Sequence, residues 1–271
     1  MLNRVPQNPA IKTLYNSGTT NNFVPTLAEN LMFALLVHIY YQDSWEKIFK
    51  QQLKNLQDYS PVIMINLCNT TPGYKEVITD IKKDFPGAYI ITTPNKGKDI
   101  GGKMALVDLY INTRQQADYI IFLHDKVSPH SITGERWRNK LFGIIEPGRI
   151  NSIIKEFRSN PRLGIIGTRD FLKNEFDEKK QIMDTRNSEK IRELVSRYNL
   201  VITDHTFIVG MMFWIRTEII QKFFSSNSPL TCREQLEEAD STDLHEGTYT
   251  HSWERIFCWL ANDQHYTLKG I

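Results

Sequence analysis

Five apolar residues in unbroken succession, Tyr119-Ile120-Ile121-Phe122-Leu123, run directly into His124-Asp125-Lys126 and then Val127-Ser128-Pro129. An apolar run without alternation is the pattern of a strand buried on both faces, and such strands belong to parallel sheets covered by helices above and below. In open α/β sheets, ligands bind in the crevice outside the carboxyl ends of the strands. The ionisable triplet therefore falls where a diphosphate, a metal or a sugar hydroxyl would be held. Read alone, it is equally the solvated turn that ends a strand.

The segments around this run set up an alternating rhythm. Residues 33–41 form a first apolar run, and Asp43 with Glu46 offers a capping-box-like helix start. Trp45, Ile48, Phe49, Leu53 and Leu56 recur at helical spacing, which predicts a helix over 44–56. A second strand follows at 62–67, then Thr71-Pro72 as N-cap and first helical residue, with Val77, Ile78, Ile81 and Phe85 on one face. A third strand at 88–92 and a helix over 99–112 lead into the run at Tyr119. Strands alternating with helices imply right-handed crossovers, hence an α/β fold with a mostly parallel sheet flanked by helices on both faces.

Beyond Pro129 the rhythm loosens. Helices are expected at 137–145 and 150–157, a short strand at 163–167, and a charged, irregular mobile loop at 171–187. Ile191, Leu194, Val195 and Tyr198 mark another helix. Residues 206–216 read as one long strand beside the central one, and 250–261 as a closing helix with Trp253, Ile256, Phe257 and Leu260 inward. No internal repeat or linker divides the chain, so the expected organisation is an N-terminal arm, 1–29, and a single domain, 30–271.

With 41% hydrophobic and 24% charged residues, 271 positions suffice for a sizeable core, and a net charge of +2 is too mild for a nucleic-acid partner. The cysteines Cys68, Cys232 and Cys258 are far apart and lack metal-ligand spacing, so reduced thiols and a cytoplasmic setting are expected. The most apolar window, 31–41, is broken by His38 and falls short of the roughly 20 residues that span a bilayer. No secretory leader pattern opens the sequence. A peripheral seat at the inner face of the cell membrane stays open.

Several clusters carry potential chemistry. Asn95-Lys96-Gly97-Lys98-Asp99-Ile100-Gly101-Gly102-Lys103 places lysines and glycines before a helix start, where backbone amides and positive charge can meet a phosphate. Asp99 can instead accept from a base or ribose hydroxyl. The glycine spacing matches neither a P-loop nor a dinucleotide fingerprint. His38, Tyr40 and Tyr41 share the same sheet edge if the strands are parallel, with stacking on a nucleobase set against plain packing. Near the carboxyl end, His251, Glu254 and Arg255 occupy one helix face, where an intrahelical ion pair is the simpler reading. Glu237, Glu238 and Asp240 read by default as a solvated charge run.

These motifs occur in a telling order: His38-Ile39-Tyr40-Tyr41; Asn95 to Gly101; Leu123 to Pro129 with Trp137 following; Val209-Gly210-Met211-Met212-Phe213-Trp214-Ile215-Arg216; and Glu246-Gly247-Thr248 with His251 to Arg255. In that order, from about residue 33 to 260, the sequence resembles the rhamnan synthesis protein F family of polysaccharide glycosyltransferases. The resemblance implies a GT-A-like, Rossmann-like fold. It also implies a nucleotide-sugar donor, a glycan or lipid-linked glycan acceptor, and transfer of a sugar, rhamnose among the candidates, to a growing bacterial cell-surface polysaccharide. It puts His124-Asp125-Lys126 where GT-A enzymes carry an Asp-x-Asp metal motif. Here there is one carboxylate with an adjacent lysine, and Glu246 stands where the family more often has aspartate. Either Asp125 holds Mg2+ or Mn2+ with help from elsewhere, or Lys126 and its basic neighbours neutralise the diphosphate directly.

Sugar transfer requires stabilisation of the departing nucleoside diphosphate, and an inverting reaction also requires a base for the acceptor hydroxyl. Lys96, Lys98, Lys126 and Arg255 are the candidates for the first task, and Glu238, Glu246 and His251 for the second, with Asp125 counted among the catalytic group. Donor contacts are expected from His38, Tyr40, Asn95, Gly97, Asp99, His124, Trp214 and Glu254. Two rivals remain: a catalytically inactive GT-A-like protein that binds glycan or nucleotide without turnover, and a nucleotidyltransferase on a similar sheet.

Overall fold

A computed structural model of the chain describes residues 12–14, 32–125, 134–238 and 247–271. The expected βα rhythm is present from Phe33 to His124. Strand β1 (Lys12–Leu14) comes first, then β2 (Phe33–Ile39), a π-helical turn (Trp45–Phe49) running into α1 (Lys50–Lys54), β3 (Val62–Cys68), α2 (Tyr74–Asp84), β4 (Tyr89–Thr93), α3 (Lys98–Asn112) and β5 (Tyr119–His124). The second half contains α4 (Gly134–Phe142), α5 (Pro147–Ser159), β6 (Leu163–Gly167), β7 (Leu172–Asn174), α6 (Ser188–Arg197), β8 (Thr206–Ile208), β9 (Phe213–Arg216), α7 (Thr217–Phe224), α8 (Pro229–Glu234), α9 (Tyr249–Asp263) and β10 (Thr267–Gly270).

The main sheet has the order β1-β4-β3-β2-β5-β9-β6-β10. Its centre is parallel: β4, β3, β2 and β5 run the same way, while β9 is antiparallel to both β5 and β6. Alternate residues of each central strand enter cores on opposite faces. Leu36, Met64 and Phe122 join Tyr110, Trp253 and Phe257 on one side, and Leu35, Ile65 and Leu123 join Trp45, Phe49 and Trp214 on the other. Each such fully buried side chain contributes about 1.5–3 kcal/mol of apolar transfer, which explains why these strands tolerate no polar position before their carboxyl ends. The architecture is the α/β, helix-flanked sheet expected, compatible with a Rossmann-like GT-A fold. No helix among the described residues is long and apolar enough to cross a membrane.

Four local expectations are corrected. The segment 206–216 is two strands: β8 pairs with β7 in a separate hairpin, and β9 enters the main sheet. The break falls at Gly210 and Met211, both in the left-handed region with φ of 88° and 43°. The 171–187 segment is not irregular throughout: β7 pairs with β8, and a turn closes through Asp177 and Ile182. Ser44 rather than Asp43 precedes the first helix, and Asp43 pairs with Lys47 instead. Thr71 does not cap α2; Gly73 does so in a left-handed conformation, while the Thr71 hydroxyl donates to the Cys68 carbonyl.

Candidate functional site

In the central sheet the strand order reverses between β2 and β5, because β3 and β4 lie on one side of β2 whereas β5 lies on the other. Neighbouring crossovers leave on opposite faces at such a point, opening a crevice at the strands' carboxyl ends. His38 of β2 and His124 of β5 are register partners there. Tyr40, Tyr41 and Asp125 follow at once, and the loop from Asn95 to Asp99 arrives from β4. Parallel pairing thus brings Asp99, His124, Asp125, His38 and Tyr40 to one edge.

The centre of this edge is an ionic cluster around Lys103, the last residue of the glycine-rich motif. Lys103, on α3, has no exposed surface. Its ammonium donates to Asp99 Oδ2 at 3.0 Å, to His124 Nδ1 at 3.0 Å and to the Met211 carbonyl at 2.8 Å. Asp99 Oδ2 lies 3.7 Å from His124 Nδ1, and its side chain keeps 27% exposure. The spacing of Asp99 and Lys103, four apart on a helix, was the available signal. Beside them, His38 Nδ1 meets Asn66 Nδ2 at 2.9 Å, and Asn66 Nδ2 donates to Thr93 Oγ1 at 3.0 Å. Burial pulls His38 down to about 4, with Lys103 and Arg233 reinforcing the shift against Asp99, so its imidazole is neutral.

Asp125 has a different occupation. Its carboxylate accepts from the Tyr40 amide at 2.9 and 3.0 Å and from the Tyr41 amide at 2.6 Å, closing the turn after β2. Burial nevertheless pushes its carboxyl up to about 7, since desolvation outweighs these amides and the Ser44 side chain. Asp125 is thus a buried fastening of the turn after β2. Among the described residues no group of His, Cys, Asp or Glu is assembled as a metal site, and both Asp125 oxygens are engaged by amides. The described residues thus do not by themselves fit a Mg2+ or Mn2+ ion.

The glycines of the Asn95–Lys103 segment have a packing task. Gly97, at φ 69°, would carry a Cβ 2.2 Å from Leu236 Cδ1, and a Cβ on Gly102 would sit 2.2 Å from His38 Nδ1. These glycines admit the protein's own side chains. The loop is pinned from outside by the segment before residue 239. Lys96 pairs with Glu238 at 2.8 Å, the Gly97 amide donates to the Glu237 carbonyl, and the buried Arg233 guanidinium donates to the Pro94 and Gly101 carbonyls. Nothing in the sequence marked Arg233.

Glu238 is accordingly the ion-pair partner of a candidate phosphate ligand, while its neighbour Glu237 caps α9. The Glu237 carboxylate accepts from the Tyr249 amide at 2.6 Å and the Thr250 amide at 3.0 Å. Burial raises this carboxyl, but those amides and the Thr250 hydroxyl outweigh it and leave it below its usual range. His251, half-buried in the first turn of α9, meets Thr248 Oγ1 through Nδ1 at 2.8 Å. Glu238 and His251 thus belong to the region that borders the Asn95–Asp99 loop.

Glu254 and Arg255 are held by the fold itself. Glu254 accepts from the Gly210 amide at 2.6 Å, and Arg255 pairs with Glu254 at 2.7 Å and with the buried Glu175 at 3.1 Å while lying over the Phe207 ring. Trp214 has no exposed surface and donates its indole N–H to the Ile144 carbonyl, so the expected substrate contact is corrected to a core role. Asn95 and Lys98 lie half-buried in the loop itself. The positions of Lys126 and Glu246 fall outside the described residues.

Comparison with known proteins agrees with the order of these motifs. The family model for rhamnan synthesis protein F matches residues 3–266. Proteins described as uncharacterized protein WxcX, from two strains of Xanthomonas campestris pv. campestris, are 24% identical over 230 residues, covering 82% of this chain. The chain spans about 30% of the length of these relatives. It belongs to the rhamnan synthesis protein F family, a family of polysaccharide synthesis.

Proposed function

We propose that the chain transfers a sugar from a nucleoside-diphosphate sugar to a growing bacterial surface polysaccharide, with the donor bound at the carboxyl ends of β2 and β5. The observation that carries this reading is the convergence of Asp99, His124 and the Tyr40–Tyr41 turn on the strand-order reversal, in a chain of the rhamnan synthesis protein F family.

In this reading the half-buried Tyr40 and Tyr41 rings flank the base, and Asp99 accepts a hydroxyl of the ribose or sugar. Lys96 and Lys98 face the diphosphate, on which negative charge accumulates as the glycosidic bond breaks; cations fixed in a partly dry site lower that barrier most. Lys96 exchanges its exposed partner Glu238 for phosphate oxygens. If the anomeric centre inverts, His251 and Glu238, the latter released from Lys96, are the described groups left to take the acceptor's proton, since Glu254 is held by the Gly210 amide. Glu246, immediately before Gly247, is the other candidate base, and Lys126 a further cation for the leaving group. The acceptor is a glycan or lipid-linked glycan, and the site of action is the inner face of the membrane.

One observation favours a second reading. The Asp125 carboxylate, at the position of the expected metal motif, is taken up by the Tyr40 and Tyr41 amides, as would suit a protein that binds nucleotide or glycan without turnover. Incubation with a panel of nucleotide sugars, with and without chelator, separates the two. Release of nucleoside diphosphate supports transfer, whereas saturable binding without release supports the second reading.

A further inference from the structure

A lysine ammonium without exposed surface is among the costliest groups to bury, and it persists only where each of its donors has an acceptor. Lys103 meets that requirement with a carboxylate, an imidazole nitrogen and a backbone carbonyl. The identity of the second acceptor has a chemical consequence. An ammonium has three donors and no lone pair, so the His124 nitrogen at 3.0 Å can only accept. His124 Nδ1 must then be unprotonated, and the neutral ring carries its proton on Nε2. Protonation of Nδ1 would set an N–H against a buried cation, with the Asp99 oxygen at 3.7 Å too far to take the bond.

The third partner links this lock to the other half of the molecule. Met211 lies in the left-handed turn between β8 and β9, and the preceding residue, Gly210, donates its amide to Glu254. One ammonium therefore fixes an α3 carboxylate, a β5 imidazole and the turn into β9.

We propose that Lys103 is the positioning residue of the donor crevice, holding His124 as the neutral Nε2–H tautomer and Asp99 as a fixed anionic acceptor for a hydroxyl of a nucleoside diphosphate. The ligand in this statement rests on the function proposed above; the tautomer does not. Lys103 touches no ligand itself. Its effect on binding runs through Asp99 and His124, whose rotamers and hydrogen-bonding roles it sets before the ligand arrives.

The test uses the full chain labelled with 15N at histidine. Wild-type spectra at pH 7 should give a His124 Nδ1 without a proton; a protonated Nδ1 would overturn the lock. In Lys103→Met the ring should change tautomer. Affinity for UDP, GDP or dTDP, whichever the wild type binds by calorimetry, should fall at least tenfold while circular dichroism stays unchanged. Lys103→Gln, which retains an amide donor for Nδ1, should keep the tautomer and recover part of the affinity, and it serves in place of the methionine variant if that one does not fold. A folded Lys103→Met protein that binds the same nucleotide within twofold of wild type would reduce Lys103 to a packing role. Failure of the wild type to bind any of the three would contradict the nucleotide ligand itself, and the wild-type spectrum would still decide the lock.

Discussion

Two ionic clusters of this molecule each hold a cation beside carboxylates, yet the fold gives them different work. Asp99, Lys103 and His124 gather at the carboxyl ends of parallel strands, at the point where strand order reverses, and Asp99 retains exposure toward the crevice. Glu175, Arg255 and Glu254 gather where α9 crosses the β7–β8 hairpin, and Arg255 is covered by Phe207. The first cluster presents a carboxylate; the second spends its charges on joining elements. What distinguishes a site from a fastening here is the position in the sheet topology, since each is a cation held by carboxylates.

The two clusters differ most in stability. Arg255→Met leaves Glu175 buried without its cation, and removing one partner of a buried pair is costly. The fold should lose about 3 kcal/mol in urea denaturation, and an unchanged midpoint would mean that the second cluster fastens nothing. Asp125 supplies the next effect, through pH. Its folded carboxyl sits at about 7 against an ordinary 3.8, so between those values the folded chain keeps a proton that the unfolded chain has lost. Stability should therefore fall as pH rises through that window, by about 1.4 kcal/mol for each pH unit inside it, and level off above it. Asp125→Asn should flatten the slope; a stability that instead rises from pH 5 to pH 7 in the wild type alone would contradict the burial effect.

Smaller effects sharpen the account of the crevice. Gly102→Ala drives a Cβ against His38 Nδ1 at 2.2 Å and should cost about 1.5 kcal/mol of stability by overpacking, with His38 displaced; a neutral substitution would show that the ring moves freely. His251→Ala should lower turnover about tenfold, roughly 1.4 kcal/mol in the barrier, measured at saturating donor and acceptor. Wild-type turnover would leave His251 as part of a helix start only.

The central sheet was legible because burial on both faces erases alternation in 119–123 and 62–67, and because helical spacing separates those runs. The reversed strand β9 was not, since an apolar run such as 206–216 carries no mark of direction, and its break depends on two residues with positive φ of which only Gly210 signals it. The convergence of Asp99 and Asp125 on one edge followed from parallelism. Their division of labour did not: Asp125 is drawn to the Tyr40 and Tyr41 amides 85 and 84 positions away, a contact that no local spacing encodes. Trp214 illustrates the converse. A tryptophan in a family motif reads as a ligand contact, whereas its partner, the Ile144 carbonyl, comes from a different element of the core.

The most direct test of the account titrates wild type, Asp99→Asn and Glu254→Gln with the nucleotide sugar that the wild type turns over, and reads affinity by calorimetry. Loss of at least tenfold in Asp99→Asn, with Glu254→Gln within twofold of wild type, is the predicted result. Wild-type affinity in Asp99→Asn, or a tenfold loss confined to Glu254→Gln, would move the donor site away from the strand-order reversal and contradict the account.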